Sequence, residues 1–206
     1  PRAVRKQLFD QGLDIKNLSY TYPDQDEPAL KNISFSILPN QTVGILGKIG
    51  SGKTTLINCL NRYLLIDNHQ VFMGHHDLSD LSLVDVRSVI HTVSQDVFLF
   101  SDSIRNNILF GTKQAENLAN PDLTDVILES ALQEDIFRFQ DGLDTMVGEK
   151  GIMLSGGQKQ RISLARALMT PCDLLILDNV LSAVDHETER FLLEHIHKRR
   201  TARSLL

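Results

Sequence analysis

The sequence has no long apolar run, no excess of basic residues and few cysteines, and these features limit the class of protein to which this 206-residue chain can belong. No stretch approaches the ~20 apolar residues that a membrane-spanning helix needs, and residues 1–14 are too mixed for a secretory leader to be expected. The net charge of −5 provides no excess of basic side chains, so no nucleic-acid partner is expected. The only two cysteines, Cys59 and Cys172, are far apart and adjoin apolar segments. They are therefore predicted to be buried free thiols in a reducing, cytosolic compartment.

The segment at 42–61, TVGILGKIGSGKTTLINCLN, joins an apolar run to a glycine-rich turn and a helical pattern. Val43, Ile45 and Leu46 predict a buried strand, and residues 55–60 predict a helix. Between them lies G-x-x-x-x-G-K-[ST], the pattern of a phosphate-binding loop. Its glycines let successive N–H groups turn toward an anion, and the start of the helix adds further donors. The alternative is a glycine-rich turn that carries a surface lysine.

The residues of this loop have separate expected roles. Lys53 is predicted to bridge the terminal phosphates of a nucleotide, and Thr54 to offer its hydroxyl to Mg²⁺. The predicted phosphate-binding residues are Gly47, Lys48, Gly50, Ser51, Gly52, Lys53, Thr54 and Thr55.

A second unusual helix start lies at 154–161, LSGGQKQR. Ser155 and Gln158 match a capping box, so the simplest interpretation is a well-capped helix. However, Gly156 and Gly157 weaken the first turn by up to ~1 kcal/mol each, which capping does not explain. Bare backbone beside a serine hydroxyl at a helix N-terminus predicts a second anion site.

An unbroken apolar run, LLIL at 174–177, is followed directly by Asp178. Such a run is typical of a central parallel strand that is covered on both faces. A carboxylate at the carboxyl end of that strand falls in the ligand crevice of an α/β sheet. Asp178 is therefore predicted to hold Mg²⁺ together with Thr54.

The rest of the chain supplies the framework for these motifs. Alternation and turn signals predict further strands at 14–20, 33–37, 70–73 and 91–94. Asn120 and Pro121 predict the start of a helix through 131, because they match a cap residue followed by proline at the first helical position. Other helices are predicted at 81–89, 134–139 and 185–199. The section at 81–140 is thus helix-rich and is predicted to be inserted into a P-loop α/β core.

Taken in order, these motifs resemble the nucleotide-binding domain of an ATP-binding-cassette (ABC) transporter, and the resemblance covers essentially the whole chain. The matching segments are the Walker A motif at 47–54, the Q-loop Gln95, the signature at 154–158, Walker B at 174–178 and the D-loop at 182–185. Residues 145–151, TMVGEKG, resemble the loop that ABC exporters carry before the signature, which favours an exporter.

The resemblance implies an α/β fold with a P-loop NTPase core, in which helices flank a RecA-like parallel sheet. It adds an N-terminal antiparallel β subdomain and a helical subdomain at about 81–165 that carries the Q-loop and the signature. The chain, 1–206, is then one nucleotide-binding domain. It is expected to end before the family's switch histidine, where that residue's strand would begin.

The resemblance also implies ATP and Mg²⁺ as ligands, and a second nucleotide-binding domain as partner. Each ATP would lie between one Walker A motif and the other chain's Ser155, Gly156, Gly157 and Gln158. Transmembrane domains would be the other partner, met through Glu149 and its neighbours on the cytoplasmic side of the membrane.

Two roles near the nucleotide follow from the resemblance. Gln95 would contact Mg²⁺ or the attacking water. Tyr22 would stack on adenine, although its pattern alone indicates an edge-strand aromatic residue, as for Tyr20.

One residue departs from the family's pattern. Asn179 occupies the position of the glutamate that activates water, and an amide cannot take a proton at neutral pH. The resemblance thus implies Lys53, Gln95 and Asn179 as the catalytic residues, with weak hydrolysis expected at this chain's own site.

Two functions follow from these observations. The first is an ATP-hydrolysing cassette of an exporter. The alternative is an ATP-binding module with a degenerate site that serves a heterodimeric partner. A soluble ABC ATPase fits less well, because no long coiled-coil insertion or second cassette is present.

Overall fold

The computed structural model describes residues 8–112, 123–148, 151–180, 186–198 and 204–205. The strands in these ranges are β1 (Leu13–Tyr20), β2 (Leu30–Ile37), β3 (Val71–Met73), β4 (His76–Asp77), β5 (Ile90–Val93), β6 (Leu174–Leu177) and β7 (Ser204–Leu205). The α-helices are α1 (Lys53–Leu60), α2 (Leu83–Val89), α3 (Ile104–Leu109), α4 (Thr124–Glu129), α5 (Gln133–Arg138), α6 (Gly156–Met169) and α7 (His186–Lys198). A 3₁₀ helix spans Gly142–Asp144.

An antiparallel sheet in the order β2-β1-β3-β4 begins the fold. Leu13 and Ile15 of β1 alternate inward, and the register then shifts before Leu18, which is also buried. Asn17, in the left-handed region with φ 50°, lies at this irregularity. The extra residue explains why the apolar spacing in β1 changes from two to three while all three side chains stay in the core.

A second sheet has the order β5-β6-β7, and β6 pairs with β7 in parallel. Leu174, Leu175 and Ile176 of β6 are all buried, as a strand covered on both faces requires. Leu174 and Ile176 share a core with Leu56 and Leu60 of α1. This packing places the start of α1 and the end of β6 in one compact part of the molecule.

The chain divides into two compact units. The first comprises Pro1–Thr92, Cys172–Asp178 and Arg200–Leu206, and it contains the antiparallel sheet, α1 and β6. The second comprises Val93–Pro171 and Asn179–Arg199 and is helical. In this second unit α3 and α4 pack against α6. The largest buried side chains of the second unit are Ile104, Ile108, Leu132, Ile162 and Leu164.

The predicted strand at Val43 to Leu46 is wrong. Beyond a single bridge at Thr42, no strand of the described ranges pairs with this run, so it lacks the hydrogen-bonded ladder of a strand. Val43 and Ile45 still pack against the core, but Leu46 is 97% exposed. The run therefore enters the phosphate loop as irregular backbone that keeps only part of its apolar surface buried.

The helix predicted from Asn120 through 131 is shorter in the structure. It begins at Thr124 and ends at Glu129, while Asn120 and Pro121 lie outside the described residues. Its end has a local cause, because Ala131 takes a left-handed φ of 55° that a helix cannot continue.

The other predicted elements agree with the structure to within a few residues. Both cysteines are free and buried, as predicted. Within the described ranges, no helix combines the length and apolar character needed to span a bilayer.

Candidate functional site

The phosphate-binding loop owes its shape to two glycines in the left-handed region. Gly50 has φ 81° and Gly52 has φ 88°, values that side-chain-bearing residues rarely adopt. A Cβ atom on Gly52 would also lie only 2.5 Å from the Ala29 carbonyl oxygen. Gly52 is the N-cap of α1 and provides no side-chain hydrogen bond. The first-turn N–H groups of α1 are thus left to other acceptors, as an anion site requires.

Lys53 places a positive charge at this loop. Its Nζ donates to the carbonyl oxygen of Gly47 at 2.7 Å and to that of Lys48 at 3.0 Å. A Cβ on Gly47 would lie 2.4 Å from Ser51 Oγ, so a side chain there would force Ser51 to move. The start of the predicted loop, at Gly47 and Lys48, therefore lies against the Lys53 ammonium, and the helix begins at Lys53.

Thr54 and Asp178 are 124 positions apart in sequence, yet their side chains meet. Thr54 Oγ1 donates to Asp178 Oδ2 at 3.1 Å. Asp178 follows β6 directly and is 7% exposed. Hydroxyl and carboxylate oxygens are ligands that Mg²⁺ accepts, and it commonly takes one or two carboxylates with the rest from phosphates and water. These two side chains therefore fit a magnesium ion.

Tyr22 lies two residues beyond the end of β1 and is half-buried. Its hydroxyl forms a hydrogen bond of 3.1 Å with Thr55 Oγ1, and its ring meets that of Tyr20 edge-on at 5.1 Å. Tyr22 is thus outside the strand, fixed beside the first turn of α1. Its stacking on adenine stays a prediction.

In the second unit the structure brings Gln95 and Asn179 together. Asn179 Nδ2 donates to Gln95 Oε1 at 3.4 Å, and both residues are exposed. Asn179 has φ 55°, which asparagine tolerates better than most residues. Two neutral amides can orient a water molecule, but neither can accept its proton.

The signature turn is also in the second unit, and it forms the predicted capping box. Ser155 Oγ accepts from the Gln158 N–H at 3.2 Å, and Gln158 Oε1 accepts from the Ser155 N–H at 2.9 Å. Gly156 begins α6, and a Cβ on it would meet no atom within 4 Å. Its backbone is therefore open to a ligand, whereas Gly157 is buried.

A protein-family model described as "ABC transporter" matches residues 30–182. The chain belongs to the ABC transporter family. It is the ATP-binding cassette, the ATPase domain of such a transporter, and it has the α/β fold that the sequence predicted.

The chain is similar to named members of the ABC transporter family and to one solved structure. The chain is 42% identical to the multidrug resistance-like ATP-binding protein MdlA of Escherichia coli K12 over 186 residues, which is 90% of this chain and 31% of that protein. It is 38% identical to the ATP-dependent lipid A-core flippase of the same strain over 204 residues, or 98% of this chain and 34% of the flippase.

The structure is similar to that of a bacterial Atm1-family ABC exporter with ATP bound, with a TM-score of 0.86 and 30% identity. That match covers 96% of this chain and 34% of the exporter chain. The chain therefore spans about a third of the length of these relatives.

Some sequence predictions for the ABC cassette fall on parts that are not described. The D-loop at 182–185 and Glu149 lie outside the described residues.

Asp135 is a contact of the signature turn that the sequence does not predict, and it accepts a hydrogen bond from Gln158 Nε2 at 2.9 Å. It lies 23 positions before Gln158, and a single carboxylate on a helix provides no signal of a contact at that separation.

Proposed function

We propose that this ABC cassette binds ATP with Mg²⁺ at the phosphate loop and hydrolyses it to power export across a membrane. The observation that carries the proposal is the 3.1 Å contact of Thr54 Oγ1 with Asp178 Oδ2, beside a loop whose Gly47 and Lys48 carbonyl oxygens accept from Lys53 Nζ. These are the groups that a nucleotide's terminal phosphates and their metal require. The exporter assignment is supported by the names of the similar proteins, a multidrug resistance-like protein and a lipid A-core flippase.

Each residue has a distinct task in this proposal. The N–H groups of the loop and the Lys53 ammonium bind the phosphate oxygens and offset their charge. Thr54 and Asp178 hold Mg²⁺, with Gln95 as a further ligand or as the residue that orients water. The metal supplies charge neutralisation at the phosphates when it is bound. Tyr22 positions the adenine by stacking.

The partners in this proposal are a second cassette and the transmembrane domains of the transporter. Ser155, Gly156, Gly157 and Gln158 meet the ATP that the second cassette binds, and the pair lies on the cytoplasmic side of the membrane. This arrangement is supported by the exposure of Ser155 and Gly156 in the signature turn and by the similarity to an exporter structure with ATP bound.

A second candidate function is a cassette whose own site binds ATP well and hydrolyses it slowly. The observation that favours it is Asn179, a neutral amide at the position after Asp178. Loss of a general base typically costs ~10²–10⁴-fold in rate. The intact signature turn would then complete a faster site on a different partner.

Transport by the full-length protein in inside-out membrane vesicles tests the main proposal. Lys53→Ala is expected to abolish ATP-dependent uptake of the transported substrate and to reduce ATP hydrolysis to background, because the phosphates lose the Lys53 ammonium that offsets their charge. Lys31→Ala, which removes an exposed lysine of β2, serves as the matched control and should leave both unchanged. Undiminished uptake with Lys53→Ala would contradict the proposal.

A further inference from the structure

Asp135 is a buried carboxylate on the short helix α5, and it contacts the first turns of α6. It is 8% exposed, and both of its oxygens are used. Oδ1 accepts from Gln158 Nε2 at 2.9 Å. Oδ2 accepts from Arg161 Nη2 at 2.6 Å and from Arg161 Nε at 3.2 Å. One side chain outside the signature turn thus contacts two residues of the helix that the turn begins.

Gln158 transmits this contact to the signature turn itself. Its Oε1 accepts from the Ser155 N–H, while its Nε2 donates to Asp135. An amide that is engaged at both its oxygen and its nitrogen has only one orientation that satisfies both partners. Asp135 therefore fixes the amide that accepts the Ser155 N–H, and with it the backbone at the start of the signature turn.

The ion pair with Arg161 makes this arrangement rigid. The Arg161 and Asp135 side chains are 15% and 11% exposed, so little water competes with their hydrogen bonds. Removing Asp135 would leave a largely buried guanidinium without its carboxylate, so Arg161 or the start of α6 would have to rearrange. The neighbouring pair of Glu134 and Arg138 on α5 is exposed at 83% and 73%, where such pairs contribute little.

We infer that Asp135 is a positioning residue for the signature turn, and that it acts on the ATP bound by the partner cassette. The inference rests on the proposed function, because it requires an ATP shared between two cassettes. Asp135 acts through Gln158 and does not itself touch a nucleotide. It holds the Gln158 amide, and that amide accepts the Ser155 N–H. The turn then presents the open backbone of Gly156 to the other chain's phosphates in one geometry.

The test uses full-length transporter in which one of the two cassettes carries Asp135→Ala and the two are separable by size. A photoreactive ATP analogue is trapped with vanadate after hydrolysis, and the label on each cassette is measured. Label on the partner is expected to fall more than label on the variant cassette. The ratio of partner label to variant label should fall by about 10- to 100-fold, as for a misplaced active-site group. Asp135→Asn keeps one acceptor for Gln158 and is expected to shift the ratio less.

Reference variants keep this result interpretable. Gly157→Asp alters the signature turn directly and should shift the ratio in the same direction as Asp135→Ala, whereas Lys53→Ala should shift it in the opposite direction. Glu134→Gln, on the same helix, should leave the ratio unchanged.

Equal loss of label on both cassettes with Asp135→Ala and Asp135→Asn would overturn the positioning role, because that pattern is what a general folding defect produces. If Gly157→Asp and Lys53→Ala gave the same pattern, the shared ATP site of the proposed function would fail, and the inference with it.

Discussion

Asn179 directly follows Asp178, and its amide donates to Gln95 Oε1 at 3.4 Å. Its left-handed φ of 55° suits asparagine and aspartate, while other side chains pay ~1–2 kcal/mol there. The chemistry and the backbone therefore favour different replacements. Glutamate has the reach of a general base, whereas aspartate fits the backbone with less strain.

We predict that Asn179→Glu raises single-turnover ATP hydrolysis by about 10²-fold or more, because a carboxylate can accept the proton of the attacking water. Asn179→Asp should give a smaller increase. Asn179→Gln is the matched control, since it has the length of glutamate but no base, and it should give none. Equal rates for the three variants and the original chain would mean that this position does not limit hydrolysis.

Cys59 on α1 is fully buried, and burial raises the pKa of its thiol to about 11 from an ordinary 9.0. As pH rises through this window, the unfolded chain releases the thiol proton before the native chain does. The free energy of unfolding should therefore fall between about pH 9 and pH 11.

Thermal unfolding of the purified protein across this range measures the effect. The midpoint should decline less steeply with pH for Cys59→Ala than for the original chain, because the variant lacks the titrating thiol. Parallel declines in the two proteins would show that the Cys59 thiol is not responsible.

At the scale of elements, α3 and α6 are joined by a buried polar contact at Asn107. Its Oδ1 accepts from Arg166 Nη2 and from the Phe100 N–H, both at 2.9 Å. Arg166 Nε also donates to the Asn107 carbonyl oxygen at 2.8 Å, and burial lowers the pKa of this guanidinium. Asn107 is 0% exposed, so water cannot replace these bonds.

Asn107→Ala is predicted to destabilise the protein by about 2 kcal/mol, because it leaves buried polar groups without their side-chain partner. The unfolding midpoint should then fall by about 4–8 °C in a domain of this size. Asn106→Ala, one position away on the exposed side of α3, should change stability by no more than ~0.5 kcal/mol. Similar midpoint shifts for the two variants would show that the buried hydrogen bonds of Asn107 stabilise the protein no more than an exposed side chain does.

The elements that could be predicted from the sequence are those whose signal is local. The capping box of α6 depends on residues three positions apart, and the turn of the phosphate loop depends on its own glycines. The predicted strand at 43–46 failed because a strand needs a paired neighbour, and none of the described strands pairs with this run. Asp135 was missed for the same reason, since its contacts with Gln158 and Arg161 arise only when two helices pack.

For the whole molecule, the chain is one ABC cassette that spans about a third of its relatives. Its first unit contains the phosphate loop with Thr54 and Asp178, and its second contains Gln95 and the signature turn. In the proposal that two cassettes share each ATP, the phosphate loop, Asp178 and Gln95 act on the chain's own nucleotide, and the signature turn acts on the partner's.

An experimental structure of the full-length protein with Mg²⁺ and a non-hydrolysable ATP analogue tests the central claim most directly. We predict that the terminal phosphates lie within about 3 Å of Lys53 Nζ and that Mg²⁺ lies about 2.1 Å from Thr54 Oγ1. An analogue bound away from this loop, with Lys53 Nζ still bonded only to the Gly47 and Lys48 carbonyl oxygens, would contradict the account.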